Sequence, residues 1–436
     1  MTPTIRTTEA GEHLGERVRL RGWLHATRSL GGITFLVLRD GWGTIQLTIE
    51  SEEGLRPLHE AGAMVESVIE AEGLLRAEPR APGGFELVQV TLGVISPVTS
   101  PVPVSINKTR LTAQQATLLN HAPLTLRPPA RRAIFKLSAL TMAGFRQTLQ
   151  GEGFTEVQTP KIVASATESG ANVFEIDYFG QRAFLAQSPQ FYKQTMVGIF
   201  ERVFEVGPVF RAEPHATPRH INEYVSLDVE MGFIENHFTV MAMLREVLAG
   251  IMAHLEIHAQ QALEILKITL PEVPRQIPHL HFEQARVLLA EIQGGPVLEE
   301  PDLSPSEERL LGKWAQQEHG SAFVFVTGYP MCKRPFYTHP QPEAPQWSNS
   351  FDLLFRGTEL VTGGQRLHRP EDYHQALEQA GLPRTPFASY LEAFECGMPP
   401  HGGFAIGLER FVMQLVQAPN LRLTTLFPRD KARLTP

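Results

Sequence analysis

The segment SPVTSPVPVS, residues 96–105, is the strongest constraint on how this chain can fold. Its three prolines and three serines remove ladder donors and break periodicity, so neither a helix nor a central strand can run through it. The chain is therefore read as two stretches that fold separately, with a boundary near residue 103. Before it, residues 17–49 read RVRLRGWLHATRSLGGITFLVLRDGWGTIQLTI, three β-rich runs divided by SLGG and RDGWG, with polar and apolar residues alternating. The runs SVIEAEGLLRA and FELVQVTLGVI flank the turn-rich EPRAPGG, which makes about five strands and suggests an OB-like barrel over residues 1–103.

Residues 104–130 read as a hinge. After Pro128 and Pro129, the positions of Ile134, Leu137, Leu140, Met142, Phe145 and Leu149 suit one face of a long helix that ends at Gly151 and Gly153. From Phe154 onward, strand-like runs such as RVFEVGPVFR and SFDLLFRGTELVTGG are interleaved with helices such as FTVMAMLREVLAGIMAHLEIHAQQALEIL. Few βαβ alternations occur, so residues 131–436 are expected to form an α+β domain around a mainly antiparallel sheet.

Composition narrows the function. A chain of 436 residues, 42% hydrophobic and 20% charged, is a globular protein with ample core. Its two cysteines, Cys332 and Cys396, lie far apart, which leaves no disulfide framework and no Cys-rich zinc site. No signal-like leader and no uncharged apolar run of membrane length is found, so a cytoplasmic chain off the membrane is expected. The net charge of −8 argues against nonspecific coating of nucleic acid. Residues 1–100 hold nine Arg and no Lys against thirteen Asp or Glu, so nucleic-acid contact there must use shape, stacking and base edges.

Two motifs carry chemistry. In FRAEPHATPRHINEYVSLDVEMGF, Arg211 and Glu213 stand two apart and are expected to project from one strand face. A turn-rich loop with His215, Arg219, His220 and Glu223 follows, then a second strand with Asp228 and Glu230. Arg211 can pair bidentately with phosphate or carboxylate, Arg219 and His220 can hold more distant phosphates, and Glu213 can accept from an amino group such as that of adenine. For Arg-x-Glu alone, a solvated hairpin with surface ion pairs is the commoner reading. In PPHGGFAIGLERFVMQL, Gly402, Gly403 and Gly407 permit close backbone approach, and Arg410 can lie over a base or its phosphates. The sequence lacks a P-loop motif, which argues against that nucleotide fold.

These two pieces resemble the second and third signature motifs of class II aminoacyl-tRNA synthetases, and GFTEVQTP, ending in Pro160, is similar to the first. Barrel, hinge and catalytic domain in this order resemble the subgroup of aspartyl, asparaginyl and lysyl enzymes over nearly the whole chain. The resemblance implies ATP-dependent, AMP-forming amino-acid activation and transfer to tRNA, with Arg211 as the catalytic residue. ATP binding would fall to Arg211, Glu213, Arg219, His220, Ile221, Glu359, Gly407, Leu408, Glu409 and Arg410. FLAQSPQFYKQ resembles a run of the aspartyl enzymes. By that match Glu168, Gln190, Lys193, Arg211, Thr362 and Arg366 would bind L-aspartate, with Glu168 on its ammonium and with Lys193 and Arg366 on its side-chain carboxylate. Asparagine would leave those two charges poorly paired. Asp352, Glu359 and Thr362 match the positions that hold Mg²⁺ in these enzymes, and hard oxygen ligands suit that ion. Thr362 stands where many relatives carry Ser.

The barrel resembles an anticodon-binding domain of archaeal type, for which Arg28, Phe35 and Gln46 are plausible base contacts; Phe35 fits a core position equally well. His25 and Pro82 match the pattern of enzymes relaxed between tRNA(Asp) and tRNA(Asn), which would feed an Asp-tRNA(Asn) amidotransferase. The first motif implies a homodimer. An enzyme restricted to tRNA(Asp) is the alternative, followed by an asparaginyl enzyme, an ammonia-dependent asparagine synthetase and a non-catalytic scaffold.

Overall fold

The computed structural model describes residues 2–107, 111–164, 172–214 and 217–436. They form two compact units, Met1–Arg131 and Arg132–Pro436. In the first, β1 (Arg17–Leu30), β2 (Ile33–Arg39), β3 (Thr44–Ile49), β4 (Val68–Ala77) and β5 (Phe85–Ser96) close into a barrel of order β1-β2-β3-β5-β4. The alternation of β1 decides which side faces in: Val18, Leu20 and Leu24 are buried beside Leu36, Leu38, Ile45, Leu47 and Ile69, while Arg17 and Arg21 stay outside. Each such buried Leu or Val stabilises the barrel by about 1.5–3 kcal/mol. Gly22 is required where β1 crosses β2, because a Cβ there would lie 2.4 Å from the Arg39 carbonyl oxygen.

Residues 104–130, expected as a hinge, belong to this first unit. They carry short helices at Gln115–Asn120 and Ala122–Thr125, and Arg127 donates to the Glu66 carboxylate at 2.9 Å. Glu66 also receives Arg39 at 2.6 Å, so an acid buried in the barrel is balanced by two guanidinium groups.

The second unit is built on an eight-stranded sheet. Its strands are β6 (Thr155–Glu156), β10 (Arg202–Phe210), β11 (Glu223–Gly232), β12 (His279–His281), β13 (Phe323–Thr327), β14 (Ser350–Phe355), β15 (Thr358–Gln365) and β16 (His401–Gly407). A smaller sheet holds β7 (Ile162–Val163), β8 (Glu175–Tyr178) and β9 (Gln181–Leu185). The large sheet runs β12-β13-β14-β15-β16-β11-β10-β6 and is antiparallel except at its two end pairs. The mainly antiparallel α+β reading therefore holds.

Period-two alternation gives the sheet two chemically different faces. Leu227, Val229, Phe404, Ile406, Val361, Phe351 and Leu353 point to one side, where they pack in one core with the helix His237–His258. That helix is long and apolar enough to cross a membrane, but Val240, Leu244, Val247, Leu248 and Ile251 are buried in this core. Ser226, Asp228, Glu230, Gly403, Ala405, Thr362 and Asp352 occupy the other face.

Candidate active site

The opposite face carries an aligned set of rungs. Ala405 of β16 pairs with Asp228 of β11 on one side and Thr362 of β15 on the other; the next rung is Glu230, Gly403 and Gly364. Around the β11, β15 and β16 end of this face lies a cavity of about 260 Å³, lined by Arg211, Glu213, Arg219, His220, Ile221, Tyr224, Ser226, Glu359, Leu360, Thr362, Ala405, Gly407, Glu409, Arg410 and Leu421. All but one of the residues expected to bind ATP are gathered there. Leu408 is the exception: its side chain is buried in the core behind the cavity.

Several of these positions arise differently from the sequence reading. Strand β10 ends at Phe210, so Arg211 and Glu213 do not share a strand face. A tight turn, in which the Glu213 N–H donates to the Arg211 carbonyl at 2.8 Å, brings both to the cavity. Gly402 and Gly403 are needed for packing, since a Cβ on Gly403 would lie 2.0 Å from the Val229 carbonyl oxygen and 2.3 Å from Glu230 Oε2. Gly407 alone of the three lines the cavity, and a Cβ there would meet nothing closer than 3.8 Å. It also starts the helix Leu408–Val416, whose N-terminus favours negative charge. His215 and Glu168 lie outside the described residues.

Glu359 and Thr362 reach the cavity together because β15 bulges. Leu353 pairs with Val361 but Leu354 pairs with Glu359, which leaves Leu360 as an extra residue. Glu359 thereby joins the face that holds Thr362. Burial raises the Glu359 carboxyl, but Arg410, Arg334, Arg211 and Arg219 outweigh it and hold it below the usual range. Arg410 donates to its carbonyl at 2.8 Å, and the Thr362 hydroxyl lies 3.4 Å from its Oε1. Asp352 sits one strand further and does not line the cavity. Burial raises its carboxyl, which takes Arg334 at 3.0 Å and the hydroxyls of Thr362 and Tyr329. An ionised Glu359 beside a hydroxyl is a hard-oxygen pair of the kind Mg²⁺ takes, with Asp352 supporting Thr362 from behind. Among the described residues no three His, Cys, Asp or Glu side chains could enclose a metal by themselves.

Along the same rungs, Lys193 and Arg366 converge from the helix Gln190–Phe200 and from the end of β15. Neither is a bare cation. Lys193 Nζ lies 3.0 Å from Asp228 and 3.3 Å from Glu230, and Arg366 Nε donates to Glu230 at 3.0 Å. All four are buried. Burial raises the Glu230 carboxyl, and Arg366 and Lys193 more than reverse that, so it stays ionised. Gln190 joins them, with Oε1 3.5 Å from Arg366.

The large domain agrees with known proteins. Residues 114–431 match the model of tRNA synthetases class II (D, K and N), and residues 18–92 match that of the OB-fold nucleic acid binding domain. The chain belongs to the class II tRNA synthetases. It is 47% identical to an aspartate–tRNA(Asp/Asn) ligase of Deinococcus radiodurans, covering 99% of this chain and 98% of that one. The relative of the same name in Thermus thermophilus is 46% identical, covering 97% and 98%. The solved asparaginyl-tRNA synthetase of Pyrococcus horikoshii with asparaginyl-adenylate superposes with a TM-score of 0.89 at 30% identity, covering 98% of this chain and 97% of that one. An aspartyl enzyme of Entamoeba histolytica gives 0.88 at 28%, covering 100% and 93%.

Within this synthetase's barrel, β1 to β3 bring three expected base contacts onto one outward face. Phe35 pairs with Arg28 on one side and Thr48 on the other, and Gln46 lies on the next strand opposite Val37. Phe35 is partly exposed and stands outside the barrel core. Gln46 is held by Glu86 at 3.0 Å. His25 is the extra residue of a bulge between Leu24 and Ala26, and its Nδ1 lies 3.5 Å from Glu66. Pro82 is exposed in the turn Pro82–Gly84, beside Thr44 at the start of β3.

Sequence reasoning did not assign Glu308, whose carboxylate takes Arg219 at 3.1 and 3.2 Å and the Glu359 N–H at 2.9 Å. It arrives on a helix 89 residues away, Pro305–His319, with no local signal. The site roles of Asp228 and Glu230 were also missed, although Ser226, Asp228 and Glu230 alternate with Leu227 and Val229 as a strand with one polar face must.

Proposed function

We propose that the chain is a non-discriminating aspartate–tRNA ligase, which activates L-aspartate with ATP and transfers it to tRNA(Asp) and tRNA(Asn). The carrying observation is the continuous sheet face that leads from the Arg-lined cavity to the buried Lys193 and Arg366. In the first step the α-carboxylate of aspartate attacks the α-phosphorus of ATP, and pyrophosphate leaves. Arg211 neutralises charge at the α-phosphate, and Arg219, His220 and Arg410 hold the outer phosphates and base. Mg²⁺, held by Glu359 and Thr362, would supply charge neutralisation on the phosphates. In the second step the terminal adenosine hydroxyl of tRNA attacks the adenylate carbonyl and AMP leaves; the phosphate of the adenylate takes the proton.

The aspartate side chain has to insert among Lys193, Arg366, Asp228 and Glu230. A third carboxylate there can be held only through two cations that already share two carboxylates, so its binding depends on both Lys193 and Arg366. Names of the relatives in Deinococcus radiodurans and Thermus thermophilus, together with His25 and Pro82, support the relaxed tRNA choice. Residues of the first motif and Pro160 support a homodimer, and a relaxed enzyme calls for an amidotransferase partner in the cytoplasm. Aspartylation of tRNA(Asp) and tRNA(Asn) transcripts side by side tests this reading. Comparable charging of both is expected; charging of tRNA(Asp) alone would remove the relaxed specificity and leave the ligase.

A further inference from the structure

Behind Gln190 lies a buried polar network that the reaction does not touch. Gln194 is fully buried, and all four hydrogen-bonding positions of its amide are filled. Its Nε2 meets His401 Nε2 at 2.9 Å and donates to the Tyr373 hydroxyl at 3.1 Å. Its Oε1 accepts from Gln190 Nε2 at 2.9 Å and from the Tyr390 hydroxyl at 3.0 Å. Tyr373 in turn donates to the Leu367 carbonyl at 3.0 Å.

The orientation of both glutamine amides follows from one end. His401 Nδ1 lies 2.9 Å from the Pro399 carbonyl, which can only accept, so Nδ1 carries the proton. Burial holds the His401 ring down to about 4, so at neutral pH it has a single proton and Nε2 is an acceptor. The group facing Nε2 must then be the Gln194 amide nitrogen. That turns Gln194 Oε1 toward Gln190, which must offer its own nitrogen and so points its Oε1 at Arg366 and the site.

We propose that His401, acting through Gln194, is a positioning residue that fixes the Gln190 amide with its carbonyl oxygen toward the amino-acid substrate. This rests on the ligase reading, in which Gln190 contacts aspartate. An oxygen in that place accepts from the substrate ammonium, whereas a flipped amide would present N–H groups to it and to Arg366.

The test is ATP–pyrophosphate exchange with L-aspartate, together with ¹⁵N spectra of the histidine rings. Wild-type exchange that fails with aspartate would overturn the ligase reading, while the ring spectra would still judge the relay. His401→Leu removes the acceptor and is expected to raise KM for aspartate about tenfold or more, with little change in kcat or in KM for ATP. His401→Gln restores an acceptor and should recover most of the loss. In the unmodified enzyme the His401 ring should show the neutral Nδ1–H tautomer at pH 7. An Nε2–H tautomer, a parallel fall in kcat, an equal rise in KM for ATP, or a His401→Gln variant as impaired as His401→Leu would each overturn the relay. If His401→Leu does not fold, the tautomer and the His401→Gln kinetics decide.

Discussion

Glu359 and Thr362 stand three residues apart on one strand yet face the same cavity, because the bulge at Leu360 shifts the register between them. In a regular strand they would point to opposite sides. The Thr362 hydroxyl also supports Asp352, so its hydroxyl matters more than its methyl group. Thr362→Ser should retain exchange activity within about threefold, whereas Thr362→Val should lower it about tenfold or more, because a buried carboxylate loses a donor. Steady-state exchange kinetics at saturating Mg²⁺ check both.

Arg211 leaves β10 on a turn and lines the cavity, where its proposed role is charge neutralisation in the transition state. Arg211→Ala should lower kcat for adenylate formation by about 100-fold or more, with aspartate affinity changed far less. Equal losses in exchange rate and in aspartate binding, measured by calorimetry, would contradict that role.

Glu230 is the shared partner of Lys193 and Arg366 and is fully buried. Glu230→Gln leaves Lys193 with Asp228 and takes from Arg366 the carboxylate it is paired with. Removing one member of a buried pair should destabilise the large domain by roughly 3–5 kcal/mol, read as a lower urea midpoint. An unchanged midpoint would mean that the cations are solvated in solution.

Glu409 lines the cavity and accepts from the Val225 N–H at 3.1 Å. Burial, with Glu223 adding to it, pushes its carboxyl up from 4.5 to about 7. The fold thus prefers its neutral form; that contribution to stability is complete below 4.5 and is lost as pH rises through about 7. Ionisation there adds negative charge beside the expected polyphosphate site. KM for ATP should rise between pH 6 and 8 in the native enzyme, and Glu409→Gln should flatten the profile across roughly that range.

His25 sits on a bulge against Glu66, and Pro82 in an exposed turn. Replacing them together, His25→Trp and Pro82→Lys, should lower aspartylation of tRNA(Asn) relative to tRNA(Asp) by about tenfold, the scale of one lost base contact. Unchanged ratios in competition assays would remove both residues from tRNA choice.

The barrel and the mainly antiparallel sheet are local properties. Period-two alternation in β1, β2 and β11 and the helical spacing after Pro129 are written in neighbouring residues, which is why they can be read without coordinates. That Arg211, Arg219 and Arg410 would belong to one site was legible for the same reason, since their motifs are compact, and all three line the cavity. The boundary between the two units was not: it falls after Arg131 and not at the Pro-rich run, because residues 104–130 pack with the first unit. What the tertiary structure decided is which charges meet. Glu308 reaches Arg219 across 89 positions and His401 reaches Gln194 across 207. Asp228 and Glu230 neutralise Lys193 and Arg366 only because β11, β16 and β15 align their rungs. Periodicity assigns a residue to a face, but a bulge, a strand order and a long-range ion pair depend on chain segments that no local pattern relates. Sequence therefore determined the kinds of group available to this site, and packing determined their partners and their charge.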